Sequence, residues 1–231
     1  MSLILNIDTA VETASVSLAE NGMLLRFRGN DNQKDHAAWI HAAIREMMKE
    51  AGHSLQELSA VAVSNGPGSY TGLRVSLSTA KGLCYALKIP LIPISTLELM
   101  AVAAINQSSK SLLESIDLLC PMIDARRMEV YIAVYDLKLK EIMKPQALVL
   151  NGDIFGHLLD KSRVLFFGNG SYKFKDKLLH TGAVFADHIH PAATDLSTLS
   201  YDYFKDNKFS ELAYSEPLYI KDFFSGHKPS K

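Results

Sequence analysis

The alternation of apolar and polar positions divides the chain into two series of elements that follow one order. Leu3 to Asp8 is a short apolar run, Ala14 to Glu20 alternates, and Met23 to Gly29 follows the turn signal Asn21-Gly22, which predicts three consecutive strands. From Gln33 to Ala51 the residues Ile40, Ile44, Met47, Met48 and Ala51 recur at helical spacing and share one face. A strand at Ala60 to Ser64, a helix from Gly72 to Lys88, a strand at Leu91 to Ser95 and a helix capped by Ser95 or Thr96 complete the first series. The second opens with the apolar run Ile116 to Asp124, then the strand-like RMEVYIAVY and KEIMKPQALVL. A helix near Asn151 to Asp160, a strand at Arg163 to Phe167, a helix over Tyr172 to Leu179, a strand at Ala183 to Ala186 and a helix from Thr194 finish it.

Each series therefore reads three strands, helix, strand, helix, strand, helix, and each first strand ends in Ile-Asp, at Ile7-Asp8 and Ile123-Asp124. That is a repeat of architecture with little repeat of sequence. Two such lobes, each a mixed α/β sheet flanked by helices, describe the duplicated actin-like (ribonuclease H-like) fold with a cleft between the lobes. The polar stretch Asn106 to Lys110 interrupts the hydrophobic pattern and sets expected lobes of 1–106 and 107–231. A single doubly wound sheet is the alternative, against which the three consecutive strands opening each half argue.

Charge narrows the function. With 24 basic and 25 acidic residues the net charge is -1, so no overall positive field draws the chain to phosphate backbones, and tight direct nucleic-acid binding is not expected. The two cysteines, Cys84 and Cys120, lie in apolar runs where buried reduced thiols are the ordinary outcome, which implies a reducing compartment. The N-terminus lacks the features of a secretory signal and no apolar stretch reaches spanning length, so the cytoplasm is the expected address, without membrane contact.

Candidate chemistry gathers at turns. Asp8, with Thr9 beside it, and Asp124 stand at matching points of the two halves. Facing carboxylates across a cleft can hold a hydrated divalent ion and orient a nucleotide phosphate, whereas an aspartate at a strand end also satisfies backbone N–H groups of its own turn. The segment SNGPGSYTGLR, Ser64 to Arg74, lies between a strand and a helix, and Gly66, Gly68 and Gly72 permit a tight turn, close approach and an anion site at the helix start, or a purely structural turn. It is neither a Walker A loop nor GxGxxG, and at Ser69 the first glycine of a G-x-S-x-G elbow is replaced by Pro67, which disfavours a hydrolase nucleophile. His36 and His41, five apart, are separated by roughly 140° around a helix, too far to share a metal. His188 and His190 read as a solvated pair.

The two long helices of the first half carry more small and apolar surface than one buried face requires. Ser76, Ser78, Thr79, Ala80, Gly82 and Ala86 on the second, and Ala37, Ala38, Trp39, Ala42 and Ala43 on the first, permit close approach of another helix. Contact with a second protein and full burial within the lobe both remove that surface from water, and periodicity does not separate them.

Read together, NIDTAVETASVSL at 6–18, His36, SNGPGSYTGLRVSLSTAKGL at 64–83, IPLIPISTLE at 89–98, DARRMEVYIAVYD at 124–136, GNGS at 168–171 and EPLYIK at 216–221 resemble the TsaB (YeaZ) family nearly end to end. The resemblance implies a subunit without enzyme activity of its own in tRNA threonylcarbamoyladenosine synthesis, binding and activating the catalytic paralogue TsaD, with the ATPase TsaE in the same pathway and tRNA met only through the complex. It implies no tightly bound cofactor in the chain alone, with ATP or ADP and magnesium at the level of the complex. The family of TsaD carries His-x-x-x-His, whereas this chain has one residue too many between His36 and His41, so no metal is expected; bulky arginines at Arg126 and Arg127 replace the small residues of a phosphate hairpin. Asp8, Thr9, Gly66, Gly68, Ser69 and Asp124 are then remnants of a degenerate nucleotide site. The resemblance also favours an interface, with TsaD or a second copy, over His36, Trp39, Ile40, Ala43, Leu73, Ser76, Leu77, Ala80 and Cys84. The alternatives are an ATP-dependent kinase or transferase using Asp8 and Asp124, and, more weakly, a peptidase. The final FFSGHKPSK is expected to be a mobile basic tail.

Overall fold

Leu3–Asp8 reads as a mainly apolar run, LILNID, because it becomes a central strand covered on both faces. In the computed structural model of the chain, which describes residues 1–11, 13–31, 36–150 and 154–221, every residue of this strand, β1, is buried. β2 (Ala14–Glu20) pairs antiparallel with it, and β3 (Met23–Asn30) returns through a turn in which Asn21 and Gly22 both take positive φ. Next come α1 (His36–Ala51), a 3-10 turn at Leu55–Glu57, β4 (Ala60–Ser64), α2 (Tyr70–Leu87), β5 (Leu91–Ile94) and α3 (Thr96–Gln107). The sheet order is β3-β2-β1-β4-β5, with β4 and β5 parallel to β1.

The second half repeats it. After a short α4 (Lys110–Glu114) come β6 (Leu118–Asp124), β7 (Glu129–Asp136), β8 (Glu141–Val149), α5 (Gly156–Leu159), β9 (Val164–Phe167), α6 (Tyr172–Lys175), β10 (Ala183–Ala186) and α7 (Leu196–Lys205). The strands lie in the order β8-β7-β6-β9-β10, with β7 antiparallel and β9 parallel to β6. The duplicated actin-like fold expected from the sequence is the fold observed.

Differences lie mainly in the helices. α2 begins two residues ahead of expectation because the Ser69 hydroxyl accepts from Gly72 N–H at 3.3 Å and caps it. The helix expected over Tyr172 to Leu179 is a single turn, and in the Asn151–Asp160 region a helical turn forms at Gly156–Leu159, with 151–153 outside the described residues. The start expected at Gln33 and the terminal tail likewise fall outside them.

One face of the first sheet is covered by α1 and α2, whose Ile40, Ile44, Met47, Leu77 and Ala80 meet Leu5, Ile7, Val16 and Val63. α3 is apolar nearly all round because it has two buried sides. Leu97, Met100, Ala101 and Ala104 pack with Leu119, Ile123 and Phe167 of the second half, while Leu99 and Val102 pack with Ile4, Ala62 and Ile92 of the first. α7 crosses back, placing Leu196 and Leu199 in that first-half cluster. Polar contacts tie the crossing: Tyr203 OH donates to Glu98 Oε2 at 2.7 Å, Asn106 Nδ2 to Asp195 Oδ1 at 2.9 Å, and Ser17 Oγ to the Ala193 carbonyl at 2.7 Å. Cys84 and Cys120 are free and buried, and burial pushes the Cys84 thiol up to about 11 and raises Cys120 too. No helix among the described residues is long and apolar enough to cross a membrane.

Candidate functional site

The first strand delivers Asp8 to its C-terminal end and encloses it. Its Oδ1 accepts from Ala10 N–H at 3.0 Å and from Ser64 Oγ at 2.5 Å, while Oδ2, also buried, has no hydrogen-bond partner among the described residues. Burial outweighs those two hydrogen bonds and pushes the carboxyl up to about 6, with Asp195 adding repulsion. Thr9 is buried as well and donates to the Gly72 carbonyl at 2.6 Å. Asp8 thus fastens the turn that follows it, and that turn fastens α2, because the Ala10 carbonyl accepts from Ser69 N–H at 2.7 Å.

The glycines of the loop before α2 admit the chain's own backbone. A Cβ on Gly68 would lie 2.3 Å from the Ala10 carbonyl oxygen, and one on Gly72 would lie 1.9 Å from that of Thr9. Gly66, at φ +113°, has the Leu218 carbonyl 2.8 Å from where its Cβ would stand. The close approach these glycines permit is already used within the molecule.

At the matching place in the second half the surroundings are reversed. Asp124 is exposed and lines the cleft between the halves with Ala10, Ser69, Tyr70, Thr71, Arg126, Tyr131 and Asn169. Partial burial works to raise its pKa, but Lys173 and the Arg126 N–H, which both contact Oδ1, hold it below the ordinary carboxylate range. Arg126 and Arg127 both occupy the left-handed region, at φ 68° and 51°. Gly168-Asn169-Gly170-Ser171 after β9 answers Gly66-Pro67-Gly68-Ser69 after β4, and the Asn169 side chain accepts from Asp124 N–H at 2.8 Å. This G-x-G-S correspondence is written in the sequence, yet comparing only the Ile-Asp strands passes over it.

A magnesium–nucleotide would require open carboxylate oxygens and unhindered backbone N–H groups on facing turns. The residues present do not fit it: Asp8 is enclosed, Asp124 is engaged by Lys173, and Gly68 and Gly72 face their own chain. Among the described residues no three His, Cys, Asp or Glu side chains gather where they could hold a metal.

The helical surface needs a correction. Ile40, Ala43, Leu73, Ser76, Leu77, Ala80 and Cys84 are all buried within their own half, so they form its core face and not an outward one. Small residues on α2 permit close approach, but it is to the sheet below; Trp39 is half-buried against the same core, and the side chain of His36 lies outside the described residues. The outward groove between α1 and α2 is lined instead by Ala37, His41, Tyr70, Thr71, Arg74, Val75 and Ser78. His188 and His190 are exposed.

Sequence reasoning did not foresee the role of the segment 215–221. Lys81 Nζ donates to the Ser215 carbonyl at 2.9 Å and Leu218 N–H to the Asn65 carbonyl at 2.7 Å. The Tyr219 ring lies 5.7 Å from Tyr70, Arg74 Nε donates to its hydroxyl at 3.1 Å, and Lys221 pairs with Glu129 on β7. The segment thereby bridges the two halves beside the glycine loop.

Residues 30–215 match the family described as TsaD, tRNA N6-adenosine threonylcarbamoyltransferase. The chain is 28% identical to the tRNA threonylcarbamoyladenosine biosynthesis protein TsaB of Escherichia coli, over 95% of this chain and 94% of that protein. It is 31% identical to the Bacillus subtilis protein of the same description, over 76% of this chain and 74% of that one. A solved structure from Pseudomonas aeruginosa, described as similar to the peptidase YeaZ, superposes with a TM-score of 0.83 over 96% of this chain and 100% of that one; at 24% identity it shows the fold alone.

Proposed function

The chain belongs to the TsaB (YeaZ) family, and on that premise we propose that it serves threonylcarbamoyladenosine synthesis in tRNA as a non-catalytic subunit that binds and activates TsaD. The observation that carries this reading is the outward α1–α2 groove, an open channel between two long helices in which the small side chains of Ala37, Val75 and Ser78 lie among His41, Tyr70, Thr71 and Arg74. A matching helix pair on TsaD would lie along it, and a second copy of this chain would use the same face when TsaD is absent. Enclosure of Asp8 and self-packing of the glycine loop support the absence of chemistry in the chain alone. Adenine nucleotide with magnesium, TsaE and tRNA then belong to the assembled cytoplasmic complex.

Size-exclusion chromatography of the purified chain with its cognate TsaD tests this. The mixture should elute as a heterodimer, and Ser78→Arg, which puts a bulky charge on the groove, should remove that peak while the variant remains folded. Two unshifted peaks from the wild-type mixture would sink the reading. An ATP-dependent transferase is separated by calorimetry: saturable magnesium–ATP binding to the chain alone at submillimolar concentration would replace the scaffold with an enzyme.

A further inference from the structure

We propose that the β6–β7 turn, where Arg126 and Arg127 project beside the cleft, contacts the phosphates of the RNA; the inference rests on the reading above. Three observations converge on it. The first is conformational. Both residues hold positive φ, where glycine or asparagine sits at least cost, so arginine at two successive positions is not what folding of this turn selects.

The second is charge. Of the carboxylates at the turn, Asp124 is paired with Lys173 and Glu129 with Lys221. Arg126 stands near enough to Asp124 for their charges to attract, but neither it nor Arg127 forms a salt bridge with a described residue, and exposed Lys177 contacts Met128 Sδ at 3.9 Å. A chain with net charge -1 therefore gathers more basic than acidic groups at this turn, Arg126, Arg127, Lys173, Lys177 and Lys221 against Asp124 and Glu129. The third is rigidity. Lys173 Nζ donates to the Arg127 carbonyl at 2.6 Å, and the Ala125 and Glu129 N–H groups close the turn, so both guanidinium groups stand on a fixed base. Arg126 lines a cleft together with the exposed Thr71, so the guanidinium stands at an open polar surface.

Glycine substitutions separate a binding role from a structural one. Arg126→Gly with Arg127→Gly should leave the melting temperature unchanged or slightly higher, because the turn conformation suits glycine. Fluorescence anisotropy with tRNA, on the full chain alone and with cognate TsaD, should show affinity about ten-fold weaker and a log–log salt slope shallower by about 1.5. Heterodimer formation by the same variant, read by size exclusion, keeps the two ideas distinct: a heterodimer that forms but binds tRNA with unchanged affinity and slope overturns the arginine contact alone. If no heterodimer forms even with wild type, the subunit reading fails and the contact is judged on the chain alone. Equal weakening of free ATP binding by the substitutions, with tRNA binding intact, would assign the arginines to a small nucleotide and overturn the proposal.

Discussion

The two halves share strand order and pairing and differ in what they attach to that frame. The first carries helices of 16 and 18 residues over its outer face, where the second has two of 4. The turn after the first strand is inward and sealed in one, outward and basic in the other. A duplicated scaffold fixes where a turn or helix begins, while the length and burial of the inserted pieces decide whether the position packs or recognises. The first half presents an outward groove between two long helices, and the second keeps its polar edge open.

Substitutions can break that contrast, and the largest effect belongs to the helix core. Ala80→Arg places a charge in a fully buried site and should cost at least about 4 kcal/mol, seen as loss of the cooperative melting transition. Ser78→Arg, two residues away and exposed, should melt like wild type; equal loss in both would mean that the outer face is structural. Gly72→Ala forces a Cβ against the Thr9 carbonyl and should cost about 3 kcal/mol in urea unfolding.

Asp8 and Asp124 then sharpen the comparison by pH. Burial holds Asp8 at about 6 against an ordinary 3.8, so the folded chain keeps this proton where the unfolded chain has released it. The associated stability is complete below about pH 4 and is lost as pH rises through 6, about 2 to 3 kcal/mol in all. Asp8→Asn should flatten that fall in urea titrations at pH 4 to 7; an unchanged slope would place its origin elsewhere. Asp124→Asn, smallest in effect, should shift stability by under about 1 kcal/mol, because its pairing with Lys173 is solvent-exposed.

Strands were legible because buried parallel and half-buried antiparallel strands leave different apolar periods, and β1, β2 and β6 through β10 carry them plainly. The side on which a small residue packs was not legible. Ser76, Ala80 and Ser78 read alike as sequence, yet the first two meet the core and the third meets solvent. The site followed the same rule. Asp8 and Asp124 stood out as a pair from Ile-Asp, but their opposite burial depends on glycines sixty residues downstream of Asp8 and on a lysine of α6 near Asp124. The binding of Leu218 and Tyr219 beside the loop is set by contacts more than a hundred residues apart, beyond the reach of any local pattern.

The exchange of helices across the middle has one more effect. α3 lends a flank to each sheet, and 215–221 latches the far side, so the walls of the cleft share a keel and a strap. Actin-like jaws that must grip and release a ligand need freedom to swing. Here α3 and the 215–221 segment join both walls, so widening the cleft would require breaking those contacts.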